Sequence, residues 1–200
     1  MFRPALGCRY RSGAAGVRRP FAQVNLVAFY LEGKMVVSTS REKFRVRIWV
    51  VMTGTALQTM ERNSPWIESL AFSPDGKIVA VACAATVELW DVATGRIVHN
   101  LVGHSNNVNS VVFSPDGKVV TSASEDEKVK LWDAATGASL QTLEGHSDYV
   151  NSVTFSPDRK VLVSASTDGS ARLWDAAMGL ALQTIKGLSR ILPADVHPTS

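Results

Sequence analysis

Along this chain, short runs of alternating apolar and polar residues are set off by turn signals, and the whole arrangement recurs at a nearly constant interval. Trp49, Trp90, Trp132 and Trp174 stand 41, 42 and 42 residues apart, and Phe29, Phe72, Phe113 and Phe155 stand 43, 41 and 42 apart. A fixed period of this size marks a repeat architecture, in which each unit buries its apolar faces against its neighbours. No apolar run has helical spacing, and alternation with a period of two predicts strands. In the clearest unit the strands are read as Val150–Phe155, Val161–Ser166, Ala171–Trp174 and Leu180–Ile185. Ser156-Pro157-Asp158 makes the first turn, as Ser114-Pro115-Asp116-Gly117 and Ser73-Pro74-Asp75-Gly76 do in earlier units. Proline pre-sets φ at the second turn position, and glycine is tolerated at the fourth. Thr167-Asp168-Gly169 and the stretch from Asp175 to Gly179 make the other two turns.

Several separated features recur in phase: Gly103-His104 with Gly145-His146, Asp126 with Asp168, and Trp90-Asp91 with Trp132-Asp133 and Trp174-Asp175. On these residues the chain resembles the WD-repeat β-propeller family, whose signature combines a Gly-His pair, a turn aspartate and a Trp-Asp pair in each unit. The resemblance covers roughly residues 23 to 186. It implies an all-β fold of four consecutive four-stranded propeller blades, at about 23–60, 66–101, 103–143 and 145–185. Residues 1–22 are expected to be a basic, disordered N-terminal tail, and residues 187–200 a C-terminal tail. Four blades fall short of the number this family most often uses, so a partial, open propeller is expected. Its terminal blades would expose apolar faces and favour self-association. The consecutive, closely matching repeats resemble those at the C-termini of large fungal signal-sensing receptors with a central nucleotide-binding domain. Adaptors in mitochondrial fission carry similar repeats.

The units depart from the signature unequally. In the first, Trp49 is followed by Val50 and no Gly-His precedes it; in the second, Arg62-Asn63 and Ala84-Ala85 replace the Gly-His pair and the turn aspartate. The first blade should therefore be the loosest. The third and fourth units are complete.

The resemblance implies a buried hydrogen-bond network of loop histidine, second-strand serine, turn aspartate and indole. Residue by residue these are His104, Ser122, Asp126 and Trp132, then His146, Ser164, Asp168 and Trp174. Ser, His and Asp together also suggest a hydrolase. A set that occurs twice at the repeat period has no catalytic reason to do so, whereas each member would satisfy a polar group buried between strands. The reading is structural, and no enzymatic activity is expected.

Composition removes other classes. The apolar fraction of 46% and charged fraction of 20% are those of an ordinary globular chain. The formal charge is +3, but residues 1–22 contain five arginines and no acid, so the basic excess belongs to the tail and not to a nucleic-acid-binding face. That tail also suits a mitochondrial transit peptide, a reading weakened by Pro4, Gly7, Gly13, Gly16 and Pro20, which would interrupt an amphipathic helix. Two cysteines make no disulfide framework, and a cytoplasmic location, with a nuclear one as the variant, is expected. No apolar run is long enough for a bilayer-spanning helix. Neither a phosphate-binding glycine loop nor metal-ligand spacing occurs, His99 and His197 being isolated, so no cofactor or metal is expected. The aromatic positions Phe72, Phe113 and Phe155 share the core phase and are expected to be buried.

What remains is the surface. In the family, partners usually dock on the face formed by the start of each first strand and the turn between second and third strands. Mapping onto this sequence places Gln23, Asn25, Trp66, Glu68, Asn107, Asn109, Tyr149 and Asn151 there, with Glu125 and Thr167 beside them. The expected function is a non-catalytic interaction module or scaffold for protein partners. The alternatives are a propeller fragment that must self-associate or recruit other blades, and a hydrolase using one Ser-His-Asp set.

Overall fold

The computed structural model describes residues 24–30, 33–40, 45–61 and 67–187. These form sixteen strands in four antiparallel sheets, each ordered as the chain runs. Blade 1 consists of β1 (Val24–Tyr30), β2 (Met35–Ser40), β3 (Arg45–Val50) and β4 (Thr55–Glu61). Blade 2 consists of β5 (Ser69–Phe72), β6 (Ile78–Cys83), β7 (Thr86–Asp91) and β8 (Ile97–Val102). Blade 3 follows with β9 (Val108–Phe113), β10 (Val119–Ser124), β11 (Val129–Asp133) and β12 (Ser139–Leu143). Blade 4 has β13 (Val150–Phe155), β14 (Val161–Ser166), β15 (Ser170–Asp175) and β16 (Ala181–Lys186). The fold is all-β and the sheets do not close on one another: it is an open, partial propeller. In blade 4 the third strand is one residue longer at each end than its sequence reading, and the fourth is shifted by one residue, because pairing extends to Ser170 and Lys186.

The first turn of blades 2, 3 and 4 is built identically. The hydroxyls of Ser73, Ser114 and Ser156 donate to Asp75, Asp116 and Asp158, and in return accept the N–H of Ile78, Val119 and Val161. The serine bonds hold all three carboxyls below the usual range. The fourth turn position lies in the left-handed region, at φ 63° for Gly76 and 73° for Gly117. Arg159 occupies it in blade 4 at 66°, and its guanidinium reaches back to Asp116 at 2.7 Å. A side chain is carried at a glycine position, with its charge used to tie blade 4 to blade 3.

The core lies between blades. Val46, Ile48 and Met60 of blade 1 pack against Ile67, Val79 and Trp90 of blade 2. Val87, Leu89 and Leu101 meet Val108, Val111, Val120 and Trp132. Val129, Leu131 and Leu143 meet Val150, Val153, Leu162 and Trp174. Phe72, Phe113 and Phe155 are half-buried at the margins of these clusters, less enclosed than their phase suggested. Phe29, at the same position of blade 1, is 74% exposed. Among the described residues no sheet lies over it. The opposite end is equally uncovered, with Ile185 at 43%.

Candidate functional site

Two polar networks sit in the interior of blades 3 and 4. The Trp132 indole N–H donates to Ser122 Oγ at 2.9 Å, and the same oxygen lies 2.8 Å from His104 Nε2. His104 Nδ1 is 2.8 Å from Asp126 Oδ2. One proton arrangement satisfies every member: the serine hydroxyl donates to Nε2, and Nδ1–H donates to the carboxylate. Blade 4 repeats these distances with Trp174, Ser164, His146 and Asp168. The histidine and indole rings of each set meet edge to face, with centroids 6.2 and 6.3 Å apart.

Loop geometry positions the acid. Ser124 Oγ bonds the Asn106 carbonyl and accepts the Asp126 N–H, and Ser166 does the same with Asp148 and Asp168. Asp126 accepts the N–H groups of Ser105 and Lys128; Asp168 accepts those of Ser147 and Ser170, together with the Ser170 hydroxyl at 2.6 Å. Burial by itself raises both carboxyls. For Asp126 the bonds from His104 and Ser105, and for Asp168 those from Ser170 and His146, outweigh it and hold the acids below their ordinary range. Burial lowers the His104 pKa, and the neighbouring Asp126 offsets only part of that. Ser122 and Ser164 have no exposed surface. An acyl substrate cannot reach either hydroxyl, since each is enclosed between an indole and an imidazole.

Blades 1 and 2 keep the indole anchor and change its partner. Trp49 Nε1 donates to Ser38 Oγ at 2.8 Å, and Trp90 Nε1 donates to Glu88 Oε2 at 2.9 Å. Sequence matching missed both. Ser38 is recognisable from its place eleven residues before Trp49, one more than in the complete units; Val81 occupies the blade 2 position, opposite Glu88 as Ser122 is opposite Lys130, so no repeat-based signal pointed to Glu88. In the other blades the residue two before the tryptophan is a cation resting over the indole: Arg47, Lys130 and Arg172, at 5.7, 6.0 and 5.9 Å from the ring centre.

The rim at the start of the first strands gathers most of the mapped surface residues. Asn107 and Glu125 face each other at 3.2 Å, and the Glu125 N–H bonds the Asn107 carbonyl. Tyr149 and Thr167 stand in the same relation in blade 4, Thr167 N–H bonding the Tyr149 carbonyl at 2.9 Å. The Asn151 amide donates to the Thr167 hydroxyl, and Glu68 is exposed at the start of blade 2. Asn109, mapped to the docking face, has its side-chain amide committed within the fold: it donates to the Val150 carbonyl at the start of β13 in the next blade. Asn151 is likewise engaged. Gln23, Trp66 and the side chain of Asn25 lie outside the described residues.

Among the described residues, no cluster of three or more His, Cys, Asp or Glu side chains has the geometry of a metal site, and no helix is long and apolar enough to cross a membrane.

Four-stranded antiparallel units with a repeated His-Ser-Asp-Trp interior define a blade-type repeat protein, and the comparisons with known proteins agree. The family model described as "WD domain, G-beta repeat" matches residues 95–133 and 137–175. A second model, "Anaphase-promoting complex subunit 4 WD40 domain", matches residues 21–107. The chain belongs to the WD-repeat family. It is 40% identical over 47 residues to "Nuclear distribution protein PAC1" of Mycosarcoma maydis, a match covering 24% of this chain and 10% of that protein. WD repeats in general serve protein–protein interaction and are generally non-catalytic.

Proposed function

We propose that this chain is a non-catalytic scaffold that holds a protein partner on the rim formed by Asn107, Glu125, Tyr149, Asn151 and Thr167. The observation that supports the reading most is Tyr149. The residue is 46% exposed, while its backbone is held at both polar groups: its N–H donates to Asp148 Oδ1 at 2.7 Å and its carbonyl accepts from Thr167. An aromatic ring offered to solvent on an immobilised backbone loses little conformational freedom on binding. Such residues are over-represented among those that dominate interface affinity. Around it the rim is polar, with amide and carboxylate groups already oriented by one another, as at a wet recognition surface.

The test is capture of partners by wild type, Tyr149→Ala and Lys160→Ala at matched folded concentration. Lys160 is exposed on the opposite rim. Tyr149→Ala should weaken capture by about 1–3 kcal/mol, with Lys160→Ala unchanged. Equal capture by all three would remove the rim from the binding surface.

A further inference from the structure

The three junctions within the chain are copies of one another, and each uses two different surfaces. One blade contributes an outgoing set from its third and fourth strands: Val46, Ile48 and Met60; then Val87, Leu89 and Leu101; then Val129, Leu131 and Leu143, all buried. The next blade contributes an incoming set from its first strand and its tryptophan: Val108, Val111, Phe113 and Trp132, then Val150, Val153, Phe155 and Trp174. A polar latch accompanies every junction. A fourth-strand side chain donates to a carbonyl three residues past the next tryptophan: Gln58 to Ala93 at 3.5 Å, His99 to Ala135 at 2.8 Å, and Gln141 to Ala177 at 3.3 Å. A second latch joins first strands, where Ser69 accepts the Val111 N–H and Ser110 the Val153 N–H.

The two ends of the arc carry one complete half of this interface each. Counting forward by one repeat, the outgoing set of blade 4 is Ala171, Leu173 and Ile185, with Gln183 in the donor position and Ser152 in the serine position; Ile185, Gln183 and Ser152 are exposed. Counting back, the incoming set of blade 1 is Val24, Val27, Phe29 and Trp49, with Met52 in the acceptor position. Val24 and Val27 are 60% and 63% exposed and Met52 87%, where their counterparts Val108 and Val111 are buried. Both halves match in kind, apolar against apolar and donor against acceptor, and they lie at opposite ends of the same chain.

We propose that blade 4 of one chain docks on blade 1 of a second copy, Leu173 and Ile185 closing over Val24, Val27 and Phe29. The contact is head-to-tail, so it repeats from copy to copy and makes a ring where the rotation closes. Two copies supply eight blades, within the range of about 4–8 that closed propellers use, and a ring of two chains leaves no end surface open. This surface is separate from the Tyr149 rim, and either proposal can fail alone.

Sedimentation of the full chain at high micromolar concentration tests it, with Val27→Glu disabling the incoming face and Ile185→Glu the outgoing one. Both positions are already exposed, so each variant should keep its strand circular-dichroism spectrum. Wild type should sediment as two chains of 21.6 kDa, and each variant alone as one. An equimolar mixture of the two variants should recover the two-chain species, because one intact outgoing face then meets one intact incoming face. A monomeric wild type, a dimer that survives either substitution, a wild-type ladder of longer polymers, or a mixture that stays monomeric would each overturn the proposal.

Discussion

The indole of Trp90, which packs in the core shared with blade 1, donates to the buried carboxylate of Glu88, two residues earlier on the same strand. Every other blade places a serine across the sheet for this purpose and a cation two residues before the tryptophan. Blade 2 has Val81 in the serine position, and the acid paired opposite it has taken over the acceptor role. Replacing it with alanine leaves a buried N–H without its acceptor, which costs about 1–3 kcal/mol. Glu88→Ala should lower the denaturant midpoint accordingly, while Glu88→Gln, which retains an acceptor oxygen, should recover most of the loss. Equal effects of the two would mean that the carboxylate charge, not the indole bond, is what matters.

The interior networks predict how stability depends on pH. Asp126 and Asp168 have folded pKa values below their unfolded ones, so the stability they contribute is present above about pH 4 and is lost as pH falls towards the folded values. His104 is also depressed on folding. The unfolded chain therefore takes up that proton first, and stability begins to fall below about pH 6.5. Urea titrations at stepped pH should show decline in both ranges. Asp168→Asn should flatten the lower one, and an unchanged acid limb in that variant would contradict the assignment. At neutral pH, Asp168→Ala should cost about 1–3 kcal/mol through the donors left on His146 and Ser170.

Gly137 is required on two counts. Its φ of 73° lies in the left-handed region, and an added Cβ would come within 3.0 Å of the His99 side chain, which latches blade 2 to blade 3. Gly137→Ala should destabilise the fold by about 1–2 kcal/mol. Gly169 has a similar φ of 79° but open space around it. Gly169→Ala should therefore show the backbone cost alone, so a comparison of the two thermal transitions isolates the steric contribution at the junction.

Hydrogen exchange should open residues 24–61 first. Repeat arrays gain stability from each unit and from its neighbours. Blade 1 has one covered face, and Leu26 stands where Ser69 and Ser110 accept the next blade's N–H. Blade 4 also has one covered face but contains a complete polar network and the Arg159 tie to Asp116. Protection of blade 1 equal to that of blades 2 and 3 would show that its own sheet, and not its missing contacts, sets its stability.

The blades were legible in the sequence because a two-residue alternation, a Ser-Pro-Asp turn and a tryptophan each constrain the backbone locally and recur in step. The junction latches were not. Gln58, His99 and Gln141 share a position and a role but not a residue type, and what they bond is a carbonyl, which leaves no trace in the sequence. Asn109 and Asn151 illustrate the same limit: one-repeat counterparts, they make different bonds, because the first has another blade beside it and the second has an open end. Phe29 shares its phase with three half-buried phenylalanines, and its exposure depends on what lies next to it in space.

Since every junction is made from the same pair of surfaces, the array has a simple rule for changing length. A segment of one period, copied in frame from residues 103–144 and inserted after itself, would arrive with its outgoing side fitted to Val150, Val153 and Trp174 and its incoming side fitted to the valine and two leucines of Val87, Leu89 and Leu101, a set that Val129, Leu131 and Leu143 repeat residue for residue. Gene duplication could therefore add or remove a blade without inventing an interface. Such an event would alter the curvature left to be closed, and with it the number of chains a ring would need.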